Sequence, residues 1–393
     1  MLVVIETHPI QYHAPVYRAL AGLYGVPVTV IYGSDFSVNG YLDAEFGASF
    51  AWDTDLLSGY KSVFLSEVSR EGARGLEEIS TRGLRAAMRE VAPKVVLLVG
   101  YSPRFHRAGL YQASRAGYPV LFRGETTDHA VRRGVMKAWV RDRVLGWLYR
   151  WCARLLYVGQ RSREHFRRLG VPEEKLIFSP YGVDTRTFHP GEQGRSRHRA
   201  SVRRNLGIAD HETVVLFSGK LVSRKAPDLL VQAVRRLNPE LRERIVILFM
   251  GDGELRSILE RLAQAPPALR VSFLGFQNQT HLSRYYHCAD VLVLPSRHSE
   301  TWGLVVNEAL HHGLPCVVSK DVGCAPDLIE PGVTGQLFDT GSDESLASAL
   351  QRTLPLVGRG EIRERCREKV GGYSVERAAD GIARAYAAVA GTQ

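Results

Sequence analysis

The stretch VLVLPSRHSETWGLVVNEALHHGLPCVVS, residues 291–319, decides how this chain folds. Its first run, Val291 to Ser296, is short, apolar and bounded by polar turn residues, the pattern of a strand buried in a parallel sheet. Gly303 then opens a helical pattern that carries Leu304, Val305 and Leu310 inward, and Gly313 closes it. In that order, strand, loop and helix aim the helix's first amides at whatever lies over the strand's carboxyl end. Free N–H groups and the helix dipole favour anions there. Glu300 on the loop and Glu308 one to two turns into the helix can face one small polar ligand from two sides. Carboxylates accept hydrogen bonds from hydroxyls, so a sugar or ribose is the natural partner. Two isolated glutamates would read as an exposed loop acid and a solvated helix acid; this setting reverses that reading.

Outward from this unit, apolar runs alternate with helical patterns along the whole chain. The first half gives LVVIE (2–6), VTVIYG (28–33), VFL (63–65), VVLLVG (95–100), VLF (120–122) and LLYVG (155–159). The second gives VVLFSG (214–219), IVILFMG (245–251), VSFLG (271–275), the 291–296 run, CVVS (316–319) and QLF (336–338). Buried-type strands with interposed helices predict α/β architecture: two Rossmann-like, doubly wound domains facing across a cleft. The boundary falls after SPYGVDTRTFHP, where GEQGRSRHRASVRR reads as a linker or exposed segment. The expected division is 1–190, a first Rossmann-like domain; 191–373, a second; and 374–393, an amphipathic final helix suited to packing on a domain already formed.

Composition narrows the class. At 393 residues and 45% apolar, the chain suits two domains. No stretch approaches the roughly 20 uninterrupted apolar residues needed to cross a bilayer, and the opening strand at Leu2 reads as lacking a signal peptide. Five scattered cysteines without a C-x-x-C pair suggest a reduced, cytoplasmic chain without disulfides or zinc. The net charge of +10 is uneven: from Arg123 to Arg168 there are 12 Lys plus Arg against 4 Asp plus Glu. Within that span VRRGVMKAWVRDRVLGWLYRWCARLL mixes arginine with Trp139, Trp147 and Trp151. It reads first as an ordinary domain helix with snorkelling arginines. The alternative is a basic amphipathic helix in peripheral contact with an anionic membrane, at its inner face. No aromatic-basic RNA module is present, so nucleic acid is not an expected partner.

Other motifs point to the same edges of the two sheets. Lys220, Arg224 and Lys225 lie between a buried strand and a helix starting near Pro227, where basic groups suit a diphosphate. Gly219 ends that strand; Gly251 and Gly253 sit at the next strand-to-helix turn, a weak dinucleotide fingerprint better explained as a tight turn. VGCAPDLIEPGVTGQLF (322–338) reads equally as a loop over a site or as turn chemistry. In the first half, His8 and His13 are loop residues near a cleft, too far apart for a metal site. Arg123, Glu125, Asp128 and His129 share one strand end and should face the second domain, with an internal Arg123–Glu125 ion pair as the plain alternative. Asp53 and Asp55 in WDTDLL mimic a metal-binding D-x-D but follow no strong strand, so no metal is expected.

The second-half motifs together resemble the retaining, nucleotide-sugar-dependent glycosyltransferases of the GT-B fold, group 1. The likeness is carried by SGKLVSRKAPDLL, GDGELR, FLGFQNQTHLSRYYHCADVLVLPS, the E-(seven residues)-E unit ETWGLVVNE, ALHHGLPCVVS and the 322–338 loop. It is strong over 210–345 and looser over 1–190, and it implies an acceptor-side domain at 1–190, a nucleotide-sugar domain at 191–373 and a final helix, 374–393, crossing back to the first domain. It implies that Glu300 holds hydroxyls of the donor sugar and Glu308 the ribose. Lys225 would meet the diphosphate together with Lys220, where the family usually has arginine. It further implies that amides from Thr301 through Trp302 and Gly303 to Leu304 bind sugar and phosphate, and that Gly275 and Phe276 border the nucleobase. HPIQYHAP stands where relatives carry a glycine pair, and FRGET where they carry a histidine. Arg123, Glu125, His8 and His13 are therefore only acceptor-side candidates. The implied reaction is metal-independent transfer of a sugar from a nucleoside diphosphate to the hydroxyl of a glycan, a lipid-linked or a small-molecule acceptor, without a cofactor. Two other functions remain compatible: a sugar-nucleotide epimerase of the same architecture, recognised by donor conversion without acceptor, and a non-catalytic nucleotide-sugar sensor, recognised by binding without product.

Overall fold

The computed structural model describes residues 1–43, 48–68, 75–129, 134–188 and 191–391. Among these, two parallel sheets organise the chain. The first contains β1 (Leu2–Glu6), β2 (Val28–Tyr32), β5 (Lys61–Phe64), β6 (Val95–Val99), β7 (Val120–Gly124), β8 (Arg154–Tyr157) and β9 (Leu176–Phe178), in the order β5-β2-β1-β6-β7-β8-β9. The second contains β10 (Thr213–Ser218), β11 (Ile245–Met250), β12 (Arg270–Gly275), β13 (Val291–Leu294), β14 (Cys316–Ser319) and β15 (Gly335–Phe338), in the order β12-β11-β10-β13-β14-β15. Each order reverses once, between β1 and β6 and between β10 and β13, which makes the doubly wound pattern of a Rossmann-like domain. Helices cover both faces, so β1, β2 and β11 are buried along their whole length and read as mostly apolar runs. A small antiparallel pair, β3 (Tyr41–Asp43) with β4 (Ala48–Phe50), is an excursion from the first sheet. Neither this pair nor β9 stands out in the sequence, because three residues are too few for a strand period to show.

Two features depart from the sequence expectation. GEQGRSRHRASVRR is not a linker: Glu192–Asn205 is a helix packed on the helix Gln279–Cys288. Its arginines have a buried partner, since Arg199 and Arg203 donate to Asp290 at 2.8 and 2.6 Å, and Asp290 also accepts from the Val214 amide. Within the helix Leu304–His311 the buried residues are Val306, Asn307, Glu308, Ala309 and Leu310, while Leu304 and Val305 are half-buried. Leu310 and, from half-buried positions, Leu304 and Val305 do pack on the core as expected, but burial of five successive residues encloses Glu308 too.

The final helix, Val375–Ala390, lies against the helix Ala14–Tyr24 and completes the first sheet's core through Val375, Ala378, Ala379, Ile382, Ala385 and Val389. Gly381 lets it press on β9: a Cβ there would come within 2.1 Å of the Phe178 carbonyl. All five cysteines are buried and free.

Candidate functional site

In the second sheet the reversal point lies between β10 and β13, so the loops leaving these neighbouring strands converge. The β10 loop carries Gly219, Lys220 and Lys225; the β13 loop carries Glu300. Adjacency of the strands brings Lys225 and Glu300 together across 75 residues of sequence: the ammonium donates to Glu300 Oε2, which also accepts from Ser296 Oγ at 2.9 Å. Both side chains are largely enclosed, at 15% and 13% exposure. Backbone strain is concentrated here. Of three non-glycine residues with positive φ among those described, Ala226 (54°) follows Lys225 and Ser299 (61°) precedes Glu300. Such conformations cost about 1–3 kcal/mol each and persist only where surrounding structure imposes them.

The loops are fixed by contacts between backbones. A Cβ on Gly251 would lie 2.0 Å from the Gly219 carbonyl, and one on Gly253 would lie 2.7 Å from that of Leu221. These glycines let the β11 turn nest against the β10 loop, which is the tight-turn reading. Gly251 also donates to the carbonyl of Gly275 at 2.9 Å. The 322–338 segment folds against the glutamate loop itself: Gly323 donates to the Glu300 carbonyl at 3.0 Å and Cys324 to that of Trp302 at 2.9 Å. Gly303, at φ 101°, starts the Leu304–His311 helix with no side-chain cap. Trp302 does not present its indole to the loop. The ring is buried, donates to Asn307 at 2.9 Å and packs on Tyr181 and Tyr373.

Glu308 is 1% exposed, and both of its oxygens accept from tyrosines: Oε1 from Tyr12 at 3.1 Å and Oε2 from Tyr286 at 2.6 Å. Burial pushes its carboxyl up to about 7, against the pull of the two hydroxyls in the other direction. Tyr12 follows β1, so this hydrogen bond ties the carboxyl edge of the first sheet to that of the second. Three further contacts do the same. Glu125, at the end of β7, accepts from Thr301 and Tyr181; burial raises its carboxyl, and those hydrogen bonds pull the other way. Asn307 donates to the Tyr181 carbonyl at 3.3 Å. Asp53 accepts from the hydroxyl of Thr280 at 2.5 Å and, at 3.3 Å, from its amide in the first turn of Gln279–Cys288. Its neighbour Trp52 approaches Phe276, ring centroids 6.3 Å apart. The D-x-D pair therefore closes the two halves together at Asp53 and caps a local turn at Asp55.

On the first sheet the candidates separate. Arg123 forms no ion pair with Glu125: it donates to the carbonyls of Ser179 and Pro180 and lies over the Tyr181 ring. His13 is buried with Nδ1 2.5 Å from Glu6 Oε1, stacks on Tyr181, and shares Glu6 with the Tyr17 hydroxyl at 2.7 Å. Burial raises the Glu6 carboxyl but is outweighed by His13 and these hydrogen bonds, leaving it below its ordinary range. His8 stacks on Phe36 instead, and burial lowers its imidazole to about 4. Asp128 turns away from the second half toward His165, Arg168 and Arg141, contrary to its expected orientation. His129 is exposed. Glu6, Tyr12, Tyr17, Tyr181 and Tyr286 are not singled out from the sequence, although Tyr12 and Tyr286 lie within stretches quoted above. For Glu6 one signal exists, a carboxylate ending an otherwise apolar buried strand at the sheet's reversal point. Among the described residues no group of three or more His, Cys, Asp or Glu could hold a metal ion.

Residues 198–370 match the family described as "Glycosyl transferases group 1". Among curated relatives, the D-inositol 3-phosphate glycosyltransferase of Geodermatophilus obscurus is 33% identical over 238 residues, 58% of this chain and 51% of that protein. The chain thus spans about half the length of the curated relatives it matches. Solved structures are similar over the full chain. Anabaena HepE in complex with UDP-glucose gives a TM-score of 0.70 at 18% identity, covering 99% of this chain and 100% of that one. The catalytic domain of Arabidopsis thaliana starch synthase IV, bound to ADP and acarbose, gives 0.71 at 15%, covering 99% of each. Two Rossmann-like domains facing across a cleft, the GT-B arrangement, describe the fold.

Proposed function

From the premise that residues 198–370 match the group 1 glycosyl transferases, we propose that this chain moves a sugar from a nucleoside diphosphate to an acceptor hydroxyl, with retention at the anomeric carbon. The observation that carries the reading is the enclosed Lys225–Glu300 pair at the reversal point of the second sheet, beside the uncapped first turn of Leu304–His311. The ammonium of Lys225, with Lys220 on the same loop, would take up charge on the departing diphosphate. The first helical amides would add the dipole. Glu300 would accept from sugar hydroxyls, and Glu308 from ribose hydroxyls at the position Tyr12 now serves. As the bond from the anomeric carbon to the β-phosphate oxygen breaks, the acceptor oxygen bonds to that carbon from the same side. The acceptor's proton passes to the freed phosphate oxygen. Fixed cations supply the positive charge, so the step needs no metal. The Glu6–His13–Tyr181 group and Glu125 lie where an acceptor from the first half would enter, which favours them over His8 as acceptor-side residues. The relatives' complexes with UDP-glucose and ADP support a nucleotide donor.

A thermal-shift panel of nucleoside diphosphates and nucleotide sugars identifies the donor, since a tight ligand raises the melting point by mass action. With that donor, Lys225→Ala and Glu300→Ala should each lower turnover at least a hundredfold, on the order of 2.7 kcal/mol. Undiminished turnover in both variants overturns the assignment.

A further inference from the structure

The helix Val135–Arg150 is apolar on two sides and covered on one. Leu145, Leu148 and Tyr149 enter the first sheet's core. The opposite side leaves Val135, Met136, Trp139, Val140, Val144, Trp147 and, just past the helix, Trp151 exposed, with Val135 at 88% and Trp147 at 58%. Positions 136, 140, 144, 147 and 151 are three or four residues apart, so they form one line along the outer surface. The helix is thus neither an ordinary covered domain helix nor amphipathic in the expected sense, because its charges flank an apolar stripe instead of opposing one. Six of the twelve exposed large hydrophobic residues among those described lie on this helix and a seventh, Trp151, directly follows it, a concentration that marks an interaction surface.

The charges beside the stripe have one sign. Lys137, Arg143 and Arg150 are exposed along it, and the helix's one acid, Asp142, is engaged by Arg168 at 2.6 Å on the covered side. The Arg143 guanidinium lies 5.2 Å over the Trp139 ring, and the Trp147 and Trp151 rings are 4.9 Å apart. On the same face of the sheet, the helices Leu84–Val91 and Arg104–Arg115 frame a groove of about 540 Å³ lined by Arg85, Arg89, Arg115 and Tyr111.

We propose that this face docks on the surface of an anionic lipid bilayer, with the indoles at headgroup level and Lys137, Arg143 and Arg150 on lipid phosphates. Tryptophan partitions to that interface, and clustered cations are drawn to its negative potential. Charge complementarity selects the occupant: a second copy laid face to face would set the same cations against each other. Contact is peripheral, because no helix among the described residues is long and apolar enough to cross a membrane. The proposal is independent of the transfer chemistry above.

Co-sedimentation with vesicles of phosphatidylcholine, alone or mixed with phosphatidylglycerol, tests it on the full chain. The chain should pellet with the anionic vesicles, less so at high salt, and its tryptophan emission should shift to the blue. Arg143→Gln with Arg150→Gln should lower the partition constant by roughly thirtyfold, at about 1 kcal/mol per cation. Trp139→Glu with Trp147→Glu should abolish binding while leaving the melting point within a degree or so of the parent, since both rings are exposed. Equal pelleting of the tryptophan variant and the parent overturns the proposal. So does failure of the parent to bind anionic vesicles, or self-association in light scattering that the tryptophan variant relieves.

Discussion

At the scale of single residues, Glu308 shows what surroundings do to a side chain. Its carboxyl titrates near 4.5 in an unfolded chain and about 7 when folded, mainly through burial. The folded chain therefore holds a proton that the unfolded chain has already released. The stability from that bound proton is full below about pH 4.5 and is lost as pH rises through about 7. The change amounts to roughly 3 kcal/mol. Glu308→Gln, which cannot ionise, should flatten this slope: its melting point should overtake the parent's between about pH 5 and about pH 8. Equal pH slopes for the two proteins would count against a buried, titrating Glu308. That Glu300, Glu308, Lys220 and Lys225 sit on strand-to-helix units was legible in sequence, because strand, loop and helix are local patterns. Tyr12 and Tyr286, which hold Glu308 in place, were not, since neither is near it in the chain and tyrosine has no spacing rule.

At the scale of elements, two junctions decide whether the site is formed. Gly323 allows the 322–338 segment to touch the glutamate loop; a Cβ there would fall 1.7 Å from the Thr301 carbonyl. Gly323→Ala must push the Glu300–Trp302 segment aside, and a misplacement of about 1 Å costs on the order of a hundredfold in turnover. Calorimetry should show weaker nucleotide binding as well, and unchanged binding would mean that the loop tolerates the shift. The helix Glu192–Asn205 is held through Asp290. Asp290→Ala leaves Arg203, which is 2% exposed, with carbonyl acceptors from Ala209 and Glu212 but without its buried counter-ion. It should destabilise the second half by about 3 kcal/mol, read from its urea transition. A loss within measurement error would show that water reaches Arg203. Here the sequence misled for a physical reason. Arginine-rich polar composition is shared by linkers and by helices whose arginines find one buried acid, and that acid lies 87 residues away.

At the scale of the whole molecule, the described residues join the halves at three places. One is the helix Gln160–Arg168, where the Gln160 amide donates to Asp327 and Arg161 to the Val322 carbonyl. Another is the cleft, through Tyr12–Glu308, Glu125–Thr301 and Asp53–Thr280. The third is the final helix, which comes from the C-terminal end of the chain but fills the first sheet's core. Gly381→Leu would drive that helix off β9 and reopen an apolar face. Overpacking of this kind costs about 1–3 kcal/mol, so the melting point should fall and aggregation on heating should begin earlier. An unchanged melting point would show that the helix is not needed for the core.

The alternation of buried-type strands with helices determined, from sequence alone, two parallel sheets and the strand ends where chemistry-bearing residues gather. It could do so because secondary-structure periodicity is written in neighbouring residues. Tertiary structure alone decided which strand ends adjoin, and so that Lys225 meets Glu300, that Asp128 turns away and that Asp53 bridges the halves. It also decided which side of Val135–Arg150 stays uncovered. Those outcomes depend on sheet order and on the packing of segments distant in the chain, and no local pattern encodes either.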